Sequence, residues 1–317
     1  MTKKCLYVLL AFFAAINISC CRTYVDSTPV DTALLADSLS AIISEYDGEI
    51  GVALIVNGKD TVAVNNENIY PMMSVFKVHQ ALAICENFDR KGISLDTLLT
   101  IHRDELDPNT WSPMLKEHKE DVFTLSVKDL LHYTLSMSDN NASNLMFREL
   151  VGVAQSDSLI ATLIPRESFQ IAYTESEMSA DHDKAYANST SPLGAVELMT
   201  RIFTESLVSK EKQLFITQTL RWCVTGRDRI KAGLPDNANI YIAHKTGSGY
   251  RNASGRLAAH NDVAFIILPD GPMYALAVFV KDFNGSEEQA SEAITRISAA
   301  VYSILEKQQD IFRPNNT

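Results

Sequence analysis

Residues 71–85 read Pro71-Met72-Met73-Ser74-Val75-Phe76-Lys77-Val78-His79-Gln80-Ala81-Leu82-Ala83-Ile84-Cys85. Beyond Ser74 the stretch is almost wholly apolar and holds no Gly or Pro. A helix that is hydrophobic nearly all round belongs in the middle of a domain. Pro71 disfavours helix at Tyr70, so the helix is expected to start close to Ser74. Ser74 and Lys77 then stand at i and i+3 on one face. A lysine on a buried helix is costly unless something uses it. The free N–H groups and the positive end of the helix dipole also fall at Ser74, where they favour developing negative charge. A hydroxyl, an amine able to take its proton and a positive field together make a candidate activated nucleophile. Alone the pair is weak, because Ser-x-x-Lys arises about once by chance in a chain of this size. Ser209-Lys210-Glu211-Lys212 is such a case, and an N-cap serine beside a snorkelling lysine has the same pattern.

Outward from this helix, residues 31–46 have helical spacing (Leu34, Leu35, Leu39, Ile42, Ile43). Residues 49–56 and 60–64 are β-rich and separated by Asn57-Gly58, a strong hairpin signal. To about residue 220 the periodicity is mainly helical, with loops expected at Asp107-Pro108-Asn109 and Ser191-Pro192. Strands return at 240–244, 262–268 and 274–280, and an amphipathic helix covers 286–307. The economical fold is α+β: a five-stranded antiparallel sheet flanked by the two terminal helices, with an all-helical lobe inserted after the second strand. The division expected is residues 26–69 with 221–317 as the α/β lobe and 70–220 as the insert, with a cleft between them.

The chain has 317 residues, 46% hydrophobic and 21% charged, with a net charge of −11. That size can bury a large core. An acidic balance without a Lys/Arg cluster argues against nucleic-acid partners. Residues 1–21 read as an export signal: Lys3 and Lys4 precede an apolar run too short to span a membrane comfortably, followed by Asn17-Ile18-Ser19-Cys20-Cys21. Small residues before a cysteine fit a lipid anchor through Cys20 or Cys21, but the usual leucine three positions earlier is missing, so anchoring and plain cleavage both stay open. Cys85 and Cys223 lie in helical-looking apolar settings and read as buried free thiols, without spacing for zinc. Asp181-His182-Asp183 is the one tight histidine–carboxylate cluster, and it reads as a solvated loop.

Two further motifs change the weight of Ser74 and Lys77. Ser138-Asp139-Asn140 separates apolar helices expected at 127–135 and 142–150, and Lys245-Thr246-Gly247 lies at the end of the strand at 240–244. Each has a plain alternative: a helix N-cap, or a surface strand with a turn glycine. Together, and in this order, they resemble the motif set of class A serine β-lactamases and penicillin-binding proteins. The likeness covers nearly all of the chain after the leader, and it is greatest to the cephalosporin-hydrolysing class A branch with an enlarged loop before Ser191.

The resemblance implies roles. Ser74 attacks the lactam carbonyl, Lys77 is a candidate acylation base, and Ser138 relays a proton to the departing nitrogen. Asn140 binds the substrate's side-chain amide, while Lys245, Thr246 and Gly247 line the carboxylate side. The N–H groups of Ser74 and Ser248 form an oxyanion hole. Trp111 takes the place of an aromatic wall. Glu175, in Glu175-Ser176-Glu177-Met178-Ser179, matches the glutamate that holds the deacylating water, with Glu177 as the alternative carboxylate. Ser179 replaces the family's asparagine at that water, and Tyr173 stands where many members have an arginine that clips the loop. Arg229 is the expected guanidinium for the carboxylate, ahead of Arg251 and Arg256, because Ser254 occupies the usual arginine position.

The expectation is therefore an exported, periplasmic serine β-lactamase, a monomer acting on a small-molecule β-lactam without metal or organic cofactor. Rivals are a penicillin-binding peptidase, a β-lactam sensor that stays acylated, and a structural lipoprotein. Glu175 speaks against the first two and a buried Lys77 against the third.

Overall fold

The computed structural model describes residues 29–236, 239–269 and 271–312. The leader, with Cys20 and Cys21, lies outside them. Asp31 caps helix α1 (Thr32–Ile43), its carboxylate accepting the Leu34 N–H at 2.9 Å. Strands β1 (Glu49–Val56) and β2 (Asp60–Val64) form the expected hairpin. Asn57 and Gly58 turn it with φ of 52° and 66°, both positive as a type I′ turn requires.

After the two-residue strand β3 (Tyr70–Pro71), Met73–Val75 form a tight 3₁₀ turn that runs into α2 (Phe76–Lys91). Every residue of α2 from Phe76 to Cys85 is buried, and Gly92 ends the helix at φ 66° while the Ile93 N–H reaches the Phe88 carbonyl at 2.8 Å. The following block is not purely helical. Strands β4 (Leu98–His102) and β5 (Val122–Ser126) pair on either side of α3 (Pro113–Glu117). Helices α4 (Val127–Ser136), α5 (Asn140–Glu149) and α6 (Val153–Ile160) follow. Next, β6 (Phe169–Gln170) and β7 (Ser189–Thr190) form a small sheet with β3 and flank α7 (Glu175–Ala180). Ser191 and Pro192 are not a loop: Ser191 caps α8 (Pro192–Thr204), and Pro192 takes its first position. Helix α9 (Lys210–Arg221) completes the block.

The chain returns through β8 (Tyr241–Ser248), β9 (Leu257–Ile267) and β10 (Met273–Phe283), then closes with α10 (Glu287–Phe312). The main sheet is five-stranded and antiparallel in the order β2-β1-β10-β9-β8. All three late strands run longer than their apolar stretches, so Lys245-Thr246-Gly247 sits inside β8, not at its end. Much of the extra length comes from polar residues such as Lys245, Thr246, His260 and Asn261, which are buried in the sheet. Sequence hydropathy cannot show polar residues as strand, but cross-strand pairing can hold them there.

Strand β10 alternates cleanly. Tyr274, Leu276, Val278 and Val280 face a core shared with α1 and α10. Ala275, Ala277 and Phe279 face the core that contains α2 and α8. Helix α8, from the block between β2 and β8, therefore lies on the sheet itself. Gly51 is small for a reason: a Cβ there would come within 2.5 Å of the Tyr70 ring. Cys85 is buried and Cys223 only half-buried, and both are free thiols.

Candidate active site

Met73 holds φ at 46°, an unusual value for a side-chain-bearing residue, and so turns Ser74 out at the head of α2. The Ser74 hydroxyl donates to Glu175 Oε1 at 3.0 Å and accepts from Lys77 Nζ at 3.0 Å. Lys77 is fully buried and also reaches Ser138 O at 2.9 Å, Asn140 Oδ1 at 2.6 Å and Glu175 Oε1 at 2.8 Å. An ammonium has three hydrogens for these four oxygens. A proton can therefore shift among Ser74, Lys77 and Glu175 with little rearrangement, as activation of a hydroxyl requires.

Helices α4 and α5 bring the second motif to this point. Ser138 takes φ 60° between them, and Asp139 caps α5 by accepting the Ala142 N–H at 2.9 Å. The Asp139 carboxylate also accepts from Ser112 Oγ at 2.9 Å and from Met114 N at 2.7 Å, and burial raises its pKa. It thereby ties α5 to α3 and to the Trp111 segment. Trp111 is 53% exposed, its Nε1–H donates to Met137 O at 2.9 Å, and the Lys116 ammonium lies 4.5 Å from the ring centroid. An open aromatic face thus borders the cleft. Asn140 splits its amide between Lys77 and Thr110 Oγ1, the latter at 2.9 Å.

The third motif lies on β8, an edge strand whose alternate N–H groups have no sheet partner. Lys245 is fully buried and donates to Ser138 Oγ and Thr246 O, both at 2.9 Å. Burial pulls its pKa down to about 7. Gly247 has no room for a side chain, since a Cβ would stand 2.3 Å from Met72 O. Ser248 is exposed at the strand's end.

Glu175 opens α7 after the N-cap Thr174. Glu177 serves the helix rather than the cleft. Its Oε2 accepts from Thr174 N at 2.9 Å and Oγ1 at 3.0 Å, completing a capping box. Ser179 lies one turn beyond Glu175 on the same face of α7 and is exposed, its hydroxyl without a hydrogen bond to a described residue. Asn144 instead ties the loop to α5, its Nδ2 donating to Ser176 Oγ at 2.7 Å and its Oδ1 accepting from Ser176 N at 3.2 Å.

The place left by Tyr173 is filled by buried Asn188. Its Oδ1 accepts the Ala172 and Tyr173 N–H groups at 2.8 and 2.9 Å, and its Nδ2 donates to Tyr173 O at 2.7 Å. Further along, Tyr186 donates to Asp282 Oδ1 at 2.7 Å, and His182 stacks on Tyr250 at 3.7 Å. Sequence reasoning missed Asn188, Asn144 and Asp282, which carry no motif.

Arg229 also differs from expectation. It is 6% exposed, with Nη1 donating to Gly247 O at 3.1 Å and Asn261 O at 2.6 Å, and Nη2 donating to Ser248 Oγ at 2.6 Å. The guanidinium therefore lies behind β8 and meets the cleft only through the Ser248 hydroxyl. Neither substitute is available: Arg251 bonds the carbonyls of Gly255 and Gly285, and Arg256 pairs with Asp47 at 2.9 Å.

Residues 34–305 match the family model described as "Beta-lactamase enzyme family". A β-lactamase of Phocaeicola vulgatus is 62% identical over 95% of this chain and 92% of its own length. The extended-spectrum β-lactamase PER-1 of Pseudomonas aeruginosa is 32% identical over 91% of this chain and 92% of its own. Among solved structures, a class A β-lactamase from Bacteroides cellulosilyticus superposes with a TM-score of 0.83 at 29% identity, covering 88% of this chain and all of that one. The extended-spectrum β-lactamase TLA-3 also scores 0.83, at 32% identity over 86% of this chain and 99% of that one. A buried lysine between a serine hydroxyl and a carboxylate, in a fold and a sequence shared at this level, leads to one conclusion: the chain belongs to the class A β-lactamase family.

Proposed function

We propose that this β-lactamase works through an acyl-enzyme on Ser74, with Glu175 activating the water that releases it. One observation carries the reading: Glu175 Oε1 stands within 3.0 Å of the Ser74 hydroxyl and 2.8 Å of Lys77 Nζ. Ser74 attacks the lactam carbonyl and gives its proton to the Lys77–Glu175 pair. The N–H groups of Ser74 and Ser248 receive the oxyanion, helped by the positive end of α2. Ser138 protonates the departing nitrogen and is resupplied by Lys245, whose lowered pKa suits a proton donor near neutrality. Lys245, Thr246 and the Ser248 hydroxyl, backed by Arg229, take the substrate carboxylate along β8 at Gly247. Asn140 takes the side-chain amide beside Trp111.

A peptidase or a sensor has no use for a carboxylate beside the acylated serine, so hydrolysis is the better fit. Preference for cephalosporins is supported by two relatives whose names carry "extended-spectrum". Export to the periplasm follows from residues 1–21, with lipid attachment at Cys20 or Cys21 as the variant, and the catalytic unit is proposed to be a monomer. The test is steady-state hydrolysis of a chromogenic cephalosporin beside benzylpenicillin, with intact-protein mass taken during turnover. A transient adduct on the parent and a higher kcat/KM for the cephalosporin are expected. A permanent adduct with no turnover would return the sensor reading.

A further inference from the structure

Two buried ionisable side chains beside the site have no part in the reaction above. His244 and Asp262 are 2% and 0% exposed. The His244 Nδ1 lies 3.0 Å from Asp262 Oδ1, and Asp262 Oδ2 also accepts the Ile230 N–H at 3.2 Å. The imidazole also acts electrostatically on the thiol of Cys223, two residues past the end of α9. Cys223 Sγ stands 3.3 Å from Thr225 Oγ1, and Thr225 Oγ1 stands 2.6 Å from Thr246 Oγ1. A line of hydrogen bonds thus runs Cys223, Thr225, Thr246, with the Asp262–His244 pair acting on the sulfur at its head. It starts at a half-buried thiol after α9 and ends on a hydroxyl of the carboxylate-binding strand.

We propose that Cys223 is a positioning residue that sets, through Thr225, whether the Thr246 hydroxyl can donate to the substrate carboxylate. This rests on the reading of β8 as the carboxylate-binding strand. The reason is directional, because each hydroxyl has a single hydrogen. With the thiol protonated, Sγ–H is directed to Thr225, the Thr225 O–H donates to Thr246, and the Thr246 hydrogen is free for the substrate. When the thiol proton leaves to solvent, the S–H bond is lost and the thiolate becomes an acceptor. Thr225 then donates to sulfur and accepts from Thr246. The Thr246 hydrogen is drawn away, and its lone pairs face the carboxylate.

The surroundings allow both states. Burial pushes the Cys223 thiol up, but His244, with Lys245 and the Thr225 contact, brings it down to about 7. Burial also works against a charged His244, and Asp262 with Cys223 more than reverses it, raising it to about 10. Charges facing the sulfur are His244 and Lys245 from β8, Arg229 from the segment after α9, and Asp262 from β9 behind the imidazole. On the α4 side, His132 packs 6.5 Å from the ring of the neighbouring Trp222.

The experiment measures KM and kcat between about pH 6 and pH 8.5 for a carboxylate-bearing cephalosporin and for its methyl ester. The proteins are the parent, Cys223→Ser, Cys223→Ala and Thr246→Val. In parallel, the rate of iodoacetamide alkylation of the parent reads the thiol titration without reference to activity. The parent's KM for the free acid is expected to rise about three- to tenfold with pH, the worth of one hydrogen bond. Its midpoint should match that of alkylation, with kcat changing far less. In Cys223→Ser and Cys223→Ala the rise should disappear, and for the ester it should be absent throughout. A rise that persists unchanged in both variants would assign it to Lys245, which titrates in the same range, and overturn the inference alone. No effect of Thr246→Val on KM for the free acid would overturn the β8 reading and the inference with it.

Discussion

The Glu175 carboxylate lies 3.0 Å from the Ser74 hydroxyl, although 101 residues separate the two in the chain. Ser74 is held by a strained turn at the head of α2, and Glu175 by the first turn of α7. Asn188 and Asn144 hold the loop that carries α7 against the rest of the molecule. The distance is therefore a property of the loop's anchoring as much as of the two residues.

Glu175→Gln should acylate with a stoichiometric burst and then stall, because the amide cannot take a proton from the water. Deacylation is expected to slow by about 10²–10⁴-fold. Glu177→Gln, which alters only the capping box, should turn over nearly normally and lose about 1 kcal/mol of stability or less. Mass spectrometry of the two variants after mixing with a cephalosporin decides the matter. Parent-rate turnover by Glu175→Gln without an adduct would reject the assignment.

Arg229→Ala should damage the fold as well as substrate binding. It leaves the carbonyls of Gly247 and Asn261 without their buried donor, a loss of about 1–3 kcal/mol. Thermal unfolding should show a lower Tm, and KM should rise through the loosened Ser248. A variant with parental Tm and a raised KM would place the guanidinium in direct contact with substrate instead.

Gly247→Ala puts a methyl group 2.3 Å from Met72 O, and the obstacle is backbone that cannot step aside. The Met73–Val75 turn must shift and carry Ser74 with it. Overpacking of this kind costs about 1–3 kcal/mol, and acylation should fall by at least about 10²-fold. Stopped-flow labelling with a fluorescent penicillin measures the latter. An acylation rate within twofold of the parent would show that the turn is more pliant than its packing implies.

His79, on the buried side of α2, packs against Phe169 with ring centroids 6.0 Å apart. Burial pulls its pKa down to about 4, with the Val75 backbone and Asp157 opposing. The unfolded chain therefore binds a proton that the folded protein refuses. Its contribution is present in full above about pH 6.5 and is lost as pH falls toward 4, by about 3 kcal/mol in the limit. His260, lowered by burial and by Arg229 to about 3, adds to the same fall. Denaturant unfolding at pH 7 and pH 4.5 should show a smaller pH dependence in His79→Phe than in the parent. An unchanged dependence would mean that the acid lability lies elsewhere.

By itself the sequence determined whatever depends on near neighbours. The apolar run after Ser74 dictates a buried helix, Asn57-Gly58 dictates a hairpin, and the alternation along 274–280 dictates a strand, because periodicity and turn chemistry act within a few residues. The three motifs likewise announced which side chains would meet. Only the tertiary structure decided between Glu175 and Glu177, which differ in where the first turn of α7 aims each carboxylate. It also buried Arg229 behind β8, extended β8 through Lys245 and put Asn188 where the clipping arginine was missing. Each of these outcomes turns on the partner of a polar group supplied by a remote part of the chain. A buried donor or acceptor must find such a partner, and nothing in its own few neighbours says which one it will be.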